Sequence, residues 1–175
     1  PLMSLARMFC ILAPQKKWRV LEVGTGSGYS TAVLSRMVGE VLTIDLYGEL
    51  SASAKARCKK KRFDNIRFFS GDGTDHESSL GIFDAVIVCA ACGKRPLSLM
   101  RSLKKGGRMI FPMGLPHQQQ ITLVINDKPE GEDDLLRVSF HDLCFFSALQ
   151  GRYGFPLYLP EYLDGNEPPS ADPEK

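Results

Sequence analysis

No apolar run in this 175-residue chain approaches the roughly 18–20 residues that cross a bilayer. The longest, residues 83–92, already carries an acid at its second position, so a soluble chain free of the membrane is expected. The N-terminus Pro1-Leu2-Met3 has neither an initiator Met nor the basic, apolar and small-residue layout of a signal peptide, which predicts a clipped N-terminus. Charge of one sign is also missing. With 22 Lys+Arg against 20 Asp+Glu there is no electrostatic case for a dedicated nucleic-acid or membrane-surface protein. Histidine is scarce, and His76, His117 and His141 stand apart, so no metal site is expected. Five cysteines are an odd number in a chain long enough to build a core without staples. Free thiols and a cytoplasmic, reducing setting follow as the expectation.

What is present is the composition of a single globular domain, 43% hydrophobic. Residues 3–12 carry apolar side chains at helical spacing and meet Pro14, which predicts a short helix. Strands are expected over 18–23, 41–45, 65–70, 83–89 and 108–113. Helices are expected between them over 29–37, 49–62 and 96–103, the last stopped by Gly106-Gly107. Residues 118–126 and 135–149 are rich in strand formers, and only the polar turn 127–134 separates them, so they should pair antiparallel. Alternating strands and helices followed by a hairpin mean an α/β domain, a mostly parallel sheet with helices on both faces and an antiparallel edge. We expect a domain over residues 1–163 and a disordered, acidic, Pro-rich tail over 164–175.

Three strand ends carry the chemistry. Gly24-Thr25-Gly26-Ser27-Gly28 lies between the first strand and the following helix, where glycine admits unusual backbone angles and lets a ligand approach the main chain. Its spacing is not the G-x-G-x-x-G of dinucleotide binders, and a tight strand-to-helix turn alone would also use glycine. Asp45, about twenty residues on, can accept both hydrogen bonds of a ribose diol, or serve only to cap the next helix. Asp72, within Gly71-Asp72-Gly73, is placed to reach an adenine amine, though alone it is a turn signal. Together the three point to an adenosine ligand. Glu22 inside the first strand suits a ligand with a positive amino end and no pyrophosphate, favouring S-adenosylmethionine over a nicotinamide cofactor.

At these residues the chain resembles the class I S-adenosylmethionine-dependent methyltransferases, and more narrowly the protein-L-isoaspartate O-methyltransferase family. The resemblance rests on Val20-Leu21-Glu22-Val23-Gly24-Thr25-Gly26-Ser27-Gly28-Tyr29, Gly71-Asp72-Gly73, Phe83-Asp84-Ala85-Val86-Ile87-Val88 with Ala90-Ala91, and Gly106-Gly107-Arg108 through Pro112-Met113-Gly114. It implies a Rossmann-like, doubly wound sheet of seven strands in the order 3-2-1-4-5-7-6, with only the strand within 135–149 antiparallel. It further implies methyl transfer from S-adenosyl-L-methionine to the carboxylate of isoaspartyl residues in damaged proteins or peptides, by a monomer. By the same resemblance Glu22, Gly24, Thr25, Gly26 and Gly28 would line the methionine side, Asp45 and Leu46 the ribose and adenine, Asp72 and Gly73 the adenine amine, and Gln150 the last family-like stretch. The family's functional Ser would lie two positions before Pro1. The chain is therefore expected to be a fragment that binds S-adenosylmethionine and transfers methyl groups poorly. Catalytic side chains are left unassigned, because an ionised carboxylate acceptor needs no general base.

Other readings stay open beside this one. A small-molecule methyltransferase would share the cofactor half, and a non-catalytic S-adenosylmethionine-binding module would share it without turnover. The absence of an Asn-Pro-Pro-aromatic tetrad after the fourth strand argues against an amino-methylating nucleic-acid enzyme. Cys89-Ala90-Ala91-Cys92 has redox spacing but continues the family-like stretch, and Lys59-Lys60-Lys61-Arg62 reads as the solvated last turn of a helix.

Overall fold

The computed structural model describes residues 2–75, 80–127 and 136–155. The helix α1 (Leu2–Leu12) is followed by β1 (Arg19–Val23), α2 (Tyr29–Ser35), β2 (Glu40–Asp45), α3 (Gly48–Lys60) and β3 (Ile66–Ser70). Then come β4 (Phe83–Val88), the single turn α4 (Leu97–Met100), β5 (Leu103–Leu115), β6 (Gln118–Asn126) and β7 (Leu136–Cys144). The predicted disordered tail, the turn over most of 127–134 and His76 lie outside the described residues.

The seven strands form one sheet in the order β3-β2-β1-β4-β5-β6-β7. From β3 to β5 neighbouring strands run parallel, as strands joined by crossovers must. Period-two alternation splits their side chains between two cores. Leu21, Val23, Leu42, Ile44, Val86 and Val88 face one layer with Leu99 and Met100 of α4. Val20, Val41, Ala85 and Ile87 face the other, under α2 and α1. Leu5, Met8, Phe9 and Leu12 form the buried stripe of α1, at the i, i+3, i+4, i+7 spacing of an amphipathic helix. The Asn65 side chain donates to the carbonyls of Ser35, Val38 and Gly39, satisfying acceptors that the end of α2 leaves open.

Two expectations need correction. The order at the C-terminal end is 5-6-7, not 5-7-6, and the strand antiparallel to both its neighbours is β6, not β7. The reason is the connection. Strand β5 runs to Leu115, which pairs with Gln118, so only Pro116 and His117 link β5 to β6, and a two-residue turn can join only adjacent antiparallel strands. The expected pairing of the last two strands does form, from Gln119 opposite Cys144 to Asn126 opposite Leu136.

The second correction concerns Gly106-Gly107, which do not stop a helix but lie within β5. Phe83 pairs with Leu103 and Ala85 with Arg108, so β5 carries extra residues there and bulges. Gly106 has φ +73°, and a Cβ on Gly107 would come within 2.7 Å of the Lys104 carbonyl oxygen.

Candidate active site

Pairing in register brings the carboxyl ends of four strands to one edge of the sheet. Val23 lies beside Ile44 and Val88, and Asp45 beside Ser70, so the glycine loop, Leu46, Gly71 and Cys89 all follow at the same level. The loop is held in shape by left-handed glycines: Gly24, Gly26 and Gly28 have φ +92°, +49° and +77°. Gly28 also has no room for a side chain, since a Cβ there would lie 2.8 Å from that of Ala54 on α3.

Asp45 ties the loop to the end of β2. Its Oδ2 accepts the Gly26 N–H at 2.8 Å and its Oδ1 the Tyr47 N–H at 2.9 Å. Each carboxylate oxygen has a further acceptor site, so the group can still receive a diol. It does not bond into the first turn of α3 as an N-cap side chain would. Leu46 follows at the rim and is exposed.

Asp72 is more heavily engaged. Its Oδ1 accepts the Thr74 N–H and hydroxyl at 2.8 and 2.6 Å, and its Oδ2 accepts the Arg152 N–H at 2.6 Å. Burial pushes its carboxyl upward, but these hydrogen bonds and the Arg152 charge outweigh that and hold it below the usual range. Gly73 is packed from beneath, where a Cβ would meet Ile44 and Val23 side-chain atoms within 2.8 Å. Gln150 arrives from the far end of the chain, and its Oε1 accepts the Tyr47 hydroxyl at 2.5 Å. The structure therefore gathers Asp45, Leu46, Asp72, Gly73 and Gln150 around one rim.

Glu22 sits differently. It is 0% exposed, beneath the loop on the α2 side of the sheet, and it accepts the hydroxyls of Thr31 at 2.5 Å and Thr43 at 2.6 Å. The Thr43 oxygen in turn lies 2.6 Å from that of Thr25 in the loop. Burial raises the Glu22 carboxyl, against the opposing bonds from Ser30, Thr31, Thr43 and the Cys89 thiol. Sequence reasoning missed Thr31 and Thr43. A threonine inside the otherwise apolar run Val41-Leu42-Thr43-Ile44 is the signal that pointed to a buried polar partner.

Beside the loop opens a cavity of about 590 Å³, lined by Gly24, Thr25 and Gly26 and walled by Leu5, Cys89 and Phe146. Cys89 is a free thiol, and burial followed by the Glu22 charge pushes it well above its ordinary value of 9.0. Cys92 is free too, and burial pushes it up to about 12. Both thiols are held in their protonated form, and the two are not joined as a disulfide. Among the described residues no group of three or more His, Cys, Asp or Glu side chains could hold a metal ion, and no helix is long and apolar enough to cross a membrane.

A Rossmann-like sheet with one reversed strand, a glycine loop after β1 and carboxylates after β2 and β3 defines the class I methyltransferase fold. The profile of the protein-L-isoaspartate(D-aspartate) O-methyltransferase family matches residues 1–148, and the chain belongs to that family. A protein-L-isoaspartate O-methyltransferase of Nitrobacter winogradskyi is 39% identical over 133 residues, 76% of this chain and 60% of that protein. One from Vibrio atlanticus is 44% identical over 119 residues, 68% of this chain and 57% of that protein. A solved protein-L-isoaspartate O-methyltransferase superposes with a TM-score of 0.76 at 27% identity, covering 86% of this chain and 48% of the other. The chain thus spans 57–60% of the length of these two curated relatives.

Proposed function

We propose that this chain works as an S-adenosylmethionine-dependent carboxyl O-methyltransferase on isoaspartyl residues of damaged proteins. The observation that carries the cofactor half is the Asp45 carboxylate, 2.8 Å from the Gly26 N–H and at the rim that also holds Asp72. In this reading Asp45 receives the ribose diol, Leu46 packs on the adenine, and Asp72 with Gly73 takes the adenine amine. Gly24, Thr25, Gly26 and Gly28 shape the methionine side, Gln150 closes the rim through Tyr47, and Glu22 supports the loop from beneath through Thr43. When bound, the cofactor supplies an electrophilic methyl group on a sulfonium. The acceptor is a carboxylate already ionised at neutral pH, so the chain needs no general base. Its residues have to exclude water and align the acceptor oxygen with the methyl-sulfur bond, where positioning alone can supply several kcal/mol.

Family membership supports protein substrates; in the same reading the chain works in the cytoplasm, as a monomer and without nucleic acid. Residues 1–163 form the methyltransferase domain and 164–175 its tail. The test pairs binding with turnover. S-adenosylhomocysteine should raise the melting temperature, and Asp45→Ala should weaken that rise. Radiolabelled methyl transfer to an isoaspartyl peptide should exceed transfer to its aspartyl twin. Binding without transfer to either peptide, by this chain and by the gene's full open reading frame alike, would leave a cofactor-binding module and overturn the enzymatic reading, while no binding would overturn the cofactor assignment as well.

A further inference from the structure

A second concavity of about 470 Å³ opens beside Thr74 and Asp75, just after Asp72 in the chain. One wall is Thr74, Asp75 and Tyr153, and the other carries Lys94, Arg95 and Arg101 around α4. The cations project from one short stretch of chain into a single recess, whereas the one carboxylate in its lining, Asp75, pairs with Arg152 at 3.4 Å. Among the described residues the ion pairs use none of these three cations. A recess in which one sign of charge predominates concentrates the opposite sign.

The chain itself carries a matching segment. Residues 156–175 contain five acids (Glu161, Asp164, Glu167, Asp172 and Glu174) against the single base Lys175, with five prolines. They lie outside the described residues, but the place they start from is described. The Phe155 ring lies over Gly93, 3.1–3.3 Å from where a Cβ would stand, immediately before Lys94 and Arg95. The Phe155 N–H is anchored on the Leu149 carbonyl at 2.7 Å, and the Tyr153 N–H on Thr74 Oγ1 at 3.0 Å. The segment therefore starts from Phe155, which packs on Gly93 next to Lys94 and Arg95. At about 3 Å per residue for a proline-rich chain, even Glu161 can reach across the recess. The match to the family profile ends at residue 148, before this segment begins.

We propose that the Lys94, Arg95 and Arg101 recess is the docking site of the chain's own acidic segment, residues 161–174, which is most of the tail together with the three residues before it. Tethering raises the tail's effective concentration at the recess to the millimolar range, so carboxylate pairs that are individually weak and salt-sensitive suffice to fill it.

The test uses a fluorescent peptide with the sequence of residues 161–174 and three proteins spanning residues 1–175, followed by anisotropy at low salt. The first is the natural chain. The second has the tail acids neutralised as Glu161→Gln, Asp164→Asn, Glu167→Gln, Asp172→Asn and Glu174→Gln. The third adds Arg95→Glu and Arg101→Glu. The neutralised-tail chain should bind the peptide about tenfold more tightly than the natural chain, whose own tail competes. The third protein should lose that binding. Equal binding to the first two, or binding indifferent to the two arginines, would overturn the proposal. Displacement by millimolar inorganic phosphate as readily as by unlabelled peptide would make the recess a small-anion site and overturn it too. Should the double charge reversal fail to fold, Lys94→Gln in the neutralised-tail chain should still weaken binding, and no change would count against the proposal. The titration needs no methyl donor, so its outcome is independent of the cofactor assignment.

Discussion

Burial strips water from the Glu22 carboxylate, while the Thr31 and Thr43 hydroxyls restore two of its hydrogen bonds. Desolvation wins, and the group titrates above its ordinary 4.5. The folded state therefore holds this proton more firmly than the unfolded chain does. Its contribution to stability is complete below the unfolded value and is lost as pH rises through the folded one. Relative to Glu22→Gln, the natural chain should lose stability steadily from pH 4 upward until Glu22 is ionised in the folded state. Urea unfolding of both proteins across pH 4–8 measures this, and a constant difference would show that Glu22 is not perturbed. The same residue marks a limit of reading from sequence. That β1 carries an acid was legible, but that it is wholly enclosed and reaches the loop through Thr43 depends on the register of β1 against β2. The place of Asp45 at the end of β2 was legible, but its bonds to the Gly26 and Tyr47 N–H groups depend on how the loop folds back.

Among the elements, the glycine loop and the β5 bulge separate two reasons for glycine. Gly28 combines a left-handed backbone with contact against Ala54, whereas Gly106 is left-handed in open space. Alanine at Gly106 should cost only backbone strain, at the low end of roughly 1–3 kcal/mol. Alanine at Gly28 adds a 2.8 Å contact between two Cβ atoms and should cost clearly more. Denaturant midpoints of the two variants decide it, and equal losses would mean that α3 yields freely. The parallel half of the sheet was legible because each strand is followed by a chain segment long enough to cross over. The C-terminal order was not. Ending the fifth strand at Met113 instead of Leu115 hides the fact that only Pro116 and His117 remain for the turn, and the wrong neighbour follows directly.

At the scale of the whole molecule, stability should be greatest where strands have partners on both edges and cover on both faces. β1 and β4 meet both conditions, with Val20, Leu21, Ala85, Val86, Ile87 and Val88 at most 1% exposed. β7 meets neither, being the last strand of the sheet, with Phe140 and Leu143 exposed. Native-state hydrogen exchange should therefore be slowest in β1 and β4 and fastest among the strands in β7, and slow exchange throughout β7 would contradict this picture.

The placement of β1 between β2 and β4 has a consequence for how the molecule is made. One edge of β1 can be covered soon after synthesis, but the other waits for Phe83–Val88, some sixty residues after Val23. At about 5–20 residues per second this leaves β1 of the nascent chain with one open edge for about 3–12 seconds. Glu22 then stands in the middle of that strand as a charge still in contact with water, giving the unfinished sheet a deterrent to pairing with another chain that disappears once β4 arrives and seals it.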